Sequence, residues 1–215
     1  MKEDSLVTWA FQGWDWVQRN SRIVLGVVGG IILLVGGLAW YRSANARAEA
    51  EAGRILAEAS TNYWQGSYPR TIQLADQVIE GFGTTRAATD ARRMKGDALF
   101  WEGSFDSAAT MYREVLDRDR RDSPVRTAVK QSLAYALESS NKADEAAKLY
   151  EELAAAAPNR SIAADMYMSA ARAHTAAKHD DQAKKLYTKV ATEYKDTNLA
   201  READIALGEL MARTP

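Results

Sequence analysis

Few residues in this chain are of a type that does chemistry. Two histidines, His174 and His179, are its only imidazoles, and it has no cysteine. A histidine serves as a metal ligand or a general base when a second donor lies a helical turn or a short loop away. His174 and His179 are five positions apart, one expected in a helix and one in a turn, and neither has a partner at ligand spacing. Both are read as packing or surface residues. The missing thiol removes disulfide frameworks, zinc ribbons and cysteine nucleophiles. The acidic pairs Glu151-Glu152 and Asp180-Asp181 read as solvated faces and turn residues, with nothing to make either an acid/base dyad. There is no glycine-rich phosphate loop, nucleophile elbow or HExxH. The run RDRRD at 118–122 is locally basic but nearly balanced by aspartate. It reads as a solvated loop, with contact to lipid headgroups or a partner as the alternative. No catalytic residue, metal site or cofactor is expected, which leaves binding.

Composition bounds what could be bound. The 215 residues are 47% hydrophobic and 27% charged, too apolar and too evenly mixed for a disordered chain. Lysine and arginine number 28 against 29 acids, a formal net charge of −1. No strongly basic surface for nucleic acid and no acidic tail follows from that balance.

Residues 23–41, IVLGVVGGIILLVGGLAWY, carry no charge. At 1.5 Å per residue they span roughly 28 Å, close to the hydrocarbon thickness of a bilayer. Arg22 and Arg42 bracket them, and Trp40 and Tyr41 stand where an interfacial aromatic belt belongs. The stretch is read as a transmembrane helix over 22–42. A cleaved signal peptide is the rival, since Ala44-Asn45-Ala46 offers small residues. The apolar run is long for that, and acidic groups precede it. Gly26, Gly29, Gly30, Gly36 and Gly37 leave a smooth surface, with Gly26 and Gly30 in GxxxG spacing, suited to packing against another membrane helix. Glycine is also simply common in such helices. Residues 1–21 hold an amphipathic pattern in which Trp9, Trp14 and Trp16 suit a helix in the headgroup layer. A disordered leader and a docking helix are the alternatives. Basic residues on the two sides of the span balance, so they do not set its orientation.

Beyond the span the sequence repeats every 37 to 38 residues. GSFDSAATMYREVL at 103–116 aligns with NKADEAAKLYEELA at 141–154 and KHDDQAKKLYTKVA at 178–191, with a weaker copy, GSYPRTIQLADQVI, at 66–79. Such self-similarity implies stacked supersecondary units. Each reads as two helices. In the second, Gly96, Leu99, Gly103, Phe105, Ala108 and Tyr112 recur at hairpin offsets, Gly96 and Ala108 small so that two helices touch, Tyr112 filling the gap toward the next unit. This resembles the tetratricopeptide repeat (TPR). The third unit keeps Ala134, Leu137, Ala146, Tyr150 and the terminal Pro158. The fourth keeps Ala171, Ala183 and Tyr187 but puts His174 where leucine is usual. The first departs most, with Thr71 and Ala75 at the small and aromatic positions. A period above the usual 34 predicts longer loops between units.

Local signals agree. Ser123 is placed to cap a helix with Pro124 at its first position. Asn141 and Gly103 fall in turns within hairpins. Residues 197–213 read as a last amphipathic helix, such as a solenoid needs over its open face. From Arg42 to Gln65 there is no proline and only Gly53 as a weak breaker. The span and the first repeat helix could then form one helix of about 44 residues, roughly 65 Å long, with a kink near Ser43 to Asn45 as the alternative.

The TPR resemblance implies that the first helix of each hairpin lines a groove. Transferring the groove positions gives Tyr63 and Trp64 from the first unit, and Asp90, Arg93, Asp97, Phe100 and Trp101 from the second. Gln131, Tyr135 and Glu138 come from the third, Met168 and Arg172 from the fourth. Aromatics with scattered charges suit protein recognition. The alternative for Trp64, Phe100 and Trp101 is that they fill the repeat core.

The expected fold is all-α: leader helix over 1–21, anchor over 22–42, and a TPR-like solenoid over 43–215 of about four helical hairpins with a C-terminal capping helix. In order, length and repeat type the chain resembles the bacterial ancillary Sec translocon subunit family. That resemblance implies a single-pass protein of the inner membrane, its repeat domain periplasmic, associated with the protein-export channel and periplasmic chaperones. The tryptophan-rich leader departs from the more charged one of that family. A structural accessory subunit of a respiratory or photosynthetic complex is therefore a second expectation.

Overall fold

Turn chemistry sets the frame of the repeat region. The computed structural model describes residues 17–120 and 123–213, and among these every regular element is a helix. In order they are α1 (Ser21–Trp64), α2 (Tyr68–Gly81), α3 (Arg86–Trp101), α4 (Phe105–Arg118), α5 (Pro124–Ser139), α6 (Ala143–Ala155), α7 (Arg160–Ala176), α8 (Asp180–Glu193) and α9 (Leu199–Arg213). Residues 17–19 are helical too. Trp9, Trp14 and Trp16 lie outside the described residues. The chain divides into two units, one up to Ala50 and one from Glu51.

In the first unit, α1 is long and apolar enough to cross a membrane, and none of its most apolar stretch is buried. Trp40 and Tyr41 are exposed. Among the described residues, a methyl group added at Gly26, Gly29, Gly30, Gly36 or Gly37 would meet no neighbouring atom within 4 Å. The helix, 44 residues in all, runs without a break past Ser43 and Asn45.

The second unit is a run of hairpins: the end of α1 with α2, α3 with α4, α5 with α6, and α7 with α8, followed by α9. The turn inside each hairpin holds one residue in the left-handed region. These are Gly66 (φ 75°), Gly103 (φ 81°), Asn141 (φ 62°) and Lys178 (φ 62°). All four turns share one hydrogen-bond pattern. Gly103 N donates to Phe100 O at 3.0 Å and Ser104 N to Leu99 O at 2.9 Å, and the pairs at 66/67, 141/142 and 178/179 repeat it. That is the Schellman arrangement, which satisfies carbonyls orphaned at a helix end. The second helix then starts directly, and Ser67, Ser104, Lys142 and His179 make no side-chain cap. The first helices start differently. Thr85, Ser123 and Asn159 each accept from the backbone N–H three residues on, at 3.0 to 3.1 Å. Connections between units (82–85, 156–159, 194–198) are longer than the turns within hairpins. They share the long period with first helices of 16 or 17 residues.

The core is built on small residues facing tyrosines. Ala108, Ala146 and Ala183 are fully buried, and Tyr112, Tyr150 and Tyr187 are 4% exposed or less. Gly96 lets α3 lie against α4, since a Cβ there would sit 2.8 Å from the Tyr112 ring. The first repeat, with Ala75 at the tyrosine position, packs Ala52, Ile55 and Leu56 of α1 on Val78 and Ala91 instead. Buried Thr71 satisfies its hydroxyl by donating to Ser67 O at 3.0 Å. His174 occupies a buried leucine position and tolerates it because its Nε2 lies 2.8 Å from Glu151. Successive units are also tied by a recurring polar contact. Lys142 reaches Asp106 at 2.9 Å, and one unit later His179 reaches Asp144 at 3.1 Å. The C-terminal helix begins at Leu199 and buries Ala203 and Leu210 on α8 and α7.

One expected groove residue belongs to this core. Met168 is 4% exposed and packs with Ala164, Ala171 and Ala183. It presents no surface. Ala203 and Leu210 of α9, which packs on α7 as well as on α8, belong to the cluster that buries it.

Candidate protein-interaction groove

On α3, Asp90, Arg93, Asp97, Phe100 and Trp101 follow three- and four-residue steps, which place them on one helix face. Val125, Ala128, Ser132 and Tyr135 do the same on α5. Where these faces meet lies a pocket of about 280 Å³. Its walls are Asp97, Phe100 and Trp101 of α3, Ser132 and Tyr135 of α5, Tyr63 of α1, and Tyr112 from behind on α4. A second hollow of about 320 Å³ adjoins it, with Asp90, Arg93 and Asp97 facing Val125, Ala128 and Ser132. Asp97 and Ser132 line both, so the two form one groove between α3 and α5.

Aromatic contacts hold the pocket's rim. The Trp101 indole donates to Tyr63 Oη at 2.9 Å, linking positions 38 apart in sequence. Tyr63 meets Trp64 edge-on at 5.4 Å. Phe100 meets Trp101 at 6.0 Å and Phe105 at 5.2 Å, also edge-on. Of the three aromatics with a competing core reading, Phe100 is half-buried against the core, whereas Trp64 and Trp101 are 81% and 62% exposed. Neither tryptophan fills the core.

Two carboxylates are held from beneath by repeat tyrosines. Tyr112 Oη donates to Asp97 Oδ1 at 2.8 Å, and Arg93 donates to Asp97 Oδ2 at 2.8 Å. One unit later Tyr150 Oη donates to Glu138 at 2.8 Å. Burial pushes the Asp97 carboxyl above its ordinary range, opposed by the Tyr112 bond and the Arg93 charge. Burial also pushes both tyrosine hydroxyls well up, reinforced by the facing carboxylate, so both stay protonated donors. Gln131 donates to Tyr135 Oη at 2.9 Å, and the Tyr135 ring meets Tyr150 at 5.9 Å.

The groove thus brings together Tyr63, Asp90, Arg93, Asp97, Phe100, Trp101 and Tyr135, with Trp64, Gln131 and Glu138 beside them through the contacts above. It does not include Met168 or Arg172. Arg172 donates to Ser169 at 3.0 Å and lines a separate hollow of about 200 Å³ with Tyr187 and α9. Tyr112 and Ser132 were not expected here. Ser132 follows Gln131 directly. The Tyr112 ring fills the core while its hydroxyl reaches the groove. Among the described residues no group of three His, Asp or Glu could hold a metal ion.

Known proteins bear on this arrangement. The profile of the tetratricopeptide repeat-like domain matches residues 14–157. No curated protein matches the chain. Among solved structures, nearly identical TPR-like repeats from Podosopora anserina are 19% identical, with a TM-score of 0.60, 75% of this chain and 86% of that one being covered. BtubC (BKLC) from P. vanneervenii is 15% identical, with a TM-score of 0.56 over 78% of this chain and 80% of that one. MamA AMB-1 is 17% identical, with a TM-score of 0.56 over 77% and 85%. Identities this low speak to the fold alone. TPR-like domains generally mediate protein–protein interaction, and with the profile match spanning more than half its length, this chain belongs to the tetratricopeptide repeat-like domain family.

Proposed function

We propose that this protein is a non-enzymatic, membrane-anchored interaction subunit whose groove holds exported or periplasmic polypeptides near the protein-export channel of a bacterial inner membrane. The observation that carries the reading is the groove between α3 and α5, where Trp101 and Tyr135 stand exposed around a half-buried carboxylate. Tryptophan and tyrosine are enriched at protein-recognition surfaces relative to the rest of a protein's surface. The apolar first half of α1 supports the anchor, since bare apolar side chains along 19 residues favour hydrocarbon over water. The likeness in order and repeat type to ancillary Sec translocon subunits supports the location, with the repeat domain periplasmic.

A photo-crosslinking amino acid at position 101, in cells, tests the groove. Crosslinks to many exported polypeptides are expected, and their absence in favour of one integral subunit would overturn the reading. Protease added to spheroplasts tests the topology, and a protected C-terminal domain would refute the periplasmic placement.

A second reading has its own support. The unobstructed Gly26 and Gly30 suit close packing on another membrane helix, as in an accessory subunit of a respiratory or photosynthetic complex. Mild-detergent purification separates the two, because stoichiometric recovery with one integral complex favours the accessory role.

A further inference from the structure

Four aromatic rings and one carboxylate meet in the groove's pocket, and among the described residues no lysine, arginine or histidine lines it, Arg93 reaching the carboxylate from the adjoining hollow. Tyr63, Phe100, Trp101 and Tyr135 supply the rings, with Trp101 and Tyr135 leaving 62% and 39% of their surface to solvent. A ring face attracts a cation through its quadrupole, most strongly for tryptophan. The polar atoms point the same way. Tyr63 Oη already accepts from Trp101, and Tyr135 Oη from Gln131. Each keeps a second lone pair able to accept from an ammonium or guanidinium. Arg93 pairs with Oδ2 of Asp97 from the neighbouring hollow and Tyr112 donates to Oδ1, and each carboxylate oxygen keeps a further lone pair toward this pocket's occupant. An acidic occupant would meet the Asp97 carboxylate, and the one cation beside it, Arg93, is already engaged by that carboxylate. An apolar one would desolvate Asp97 with nothing in return. At about 280 Å³ the pocket has room for one extended side chain, not for a folded element.

We propose that this pocket captures a lysine or arginine side chain of a polypeptide lying in the groove, with four aromatic rings and Asp97 around the cation. The proposal rests on the reading of the groove as a polypeptide-binding surface and adds the chemistry of the anchor residue. The aromatic lining sets the preference for a cation, and Asp97 sharpens it. Because burial already disfavours its ionised form, an entering cation holds the Asp97 carboxylate charged.

The test uses the full-length protein in mild detergent and fluorescein-labelled decapeptides of alanine, serine and leucine. Each peptide carries one central arginine, lysine, norleucine or glutamate, and binding is read by fluorescence anisotropy. Arginine and lysine peptides are expected to bind about tenfold more tightly than the norleucine peptide. That preference should shrink to about twofold or less in Asp97→Asn and in Trp101→Leu. Asp97→Asn retains an acceptor for Tyr112, and Trp101 lies outside the core, so circular dichroism should show both variants folded. Equal binding of all four peptides, weakened by Trp101→Leu, overturns the cation pocket while leaving the groove reading intact. A cation preference that persists in both variants also overturns it. No binding of any peptide overturns both.

Discussion

Replacing Gly96 by alanine sets two opposed effects against each other. In a helix interior, alanine is favoured over glycine by about 1 kcal/mol, because glycine loses more backbone freedom on folding. At this position, however, the new methyl would lie 2.8 Å from Tyr112 Cε1, 3.1 Å from Cδ1 and 3.3 Å from Met111 Cβ. The Tyr112 ring cannot slip aside at little cost, being 2% exposed and held at its far end by the 2.8 Å bond to Asp97. Overpacking a filled core typically costs about 1–3 kcal/mol. The clash therefore outweighs the propensity gain, for a net loss of about 1 kcal/mol, or roughly 3 °C in Tm for a domain of this size. Gly208, in the interior of α9, is the internal control, because a Cβ there meets nothing within 4 Å. Gly208→Ala should raise Tm by about the same amount through propensity alone. The assay is loss of helical circular dichroism on heating the full-length protein in detergent. If both variants raise Tm alike, the close approach of α3 and α4 at Gly96 is wrong, and so is the reading of the small residues as helix-contact positions.

Three further outcomes are expected. Lys178→Gly should stabilise the protein by about 0.5 kcal/mol, since the left-handed φ of 62° strains any residue with a Cβ more than it strains glycine; urea titration checks it, and a loss of stability would refute the turn geometry. Ser123→Ala removes the oxygen that accepts from Arg126 N at 3.1 Å and should lower stability by about 1 kcal/mol in the same titration. Asp97 has a folded-state pKa raised above its unfolded value, so its contribution is most favourable below the ordinary carboxylate pKa and is lost as pH rises through the folded value. Asp97→Asn should therefore gain stability relative to the wild type as pH is raised from about 4 to about 7; a difference that shrinks over that range would reverse the sign.

Much of the repeat unit was legible in advance. Tyr112, Tyr150 and Tyr187, spaced 38 and 37 apart, set the register of the hairpins, because a large side chain in a stack of helices has one gap to fill and each unit provides it at the same place. Ser123 and Pro124 marked a helix start by chemistry that acts within four residues. Asn141 and Gly103 marked turns because few residues adopt a left-handed φ readily. Lys178 escaped notice there, since its conformation comes from the hairpin around it and not from its own preference.

The groove was legible only in part. Its positions on α3 follow from helical spacing, which depends on one helix alone. Whether such a face stays open depends on what packs over it. Tyr135 remains exposed while Met168, on the first helix of the next unit, is buried in the core with α8 and α9. The bond from Tyr112 to Asp97 and that from Trp101 to Tyr63 join residues 15 and 38 apart. The repeat pattern of the sequence by itself settled which residues are small, large or turn-forming, because those are properties of single positions and short spacings. Tertiary structure decided which of them meet across three helices around an open pocket, because that depends on how separate helices stack, and no periodicity in one strand of text encodes the distance between two faces.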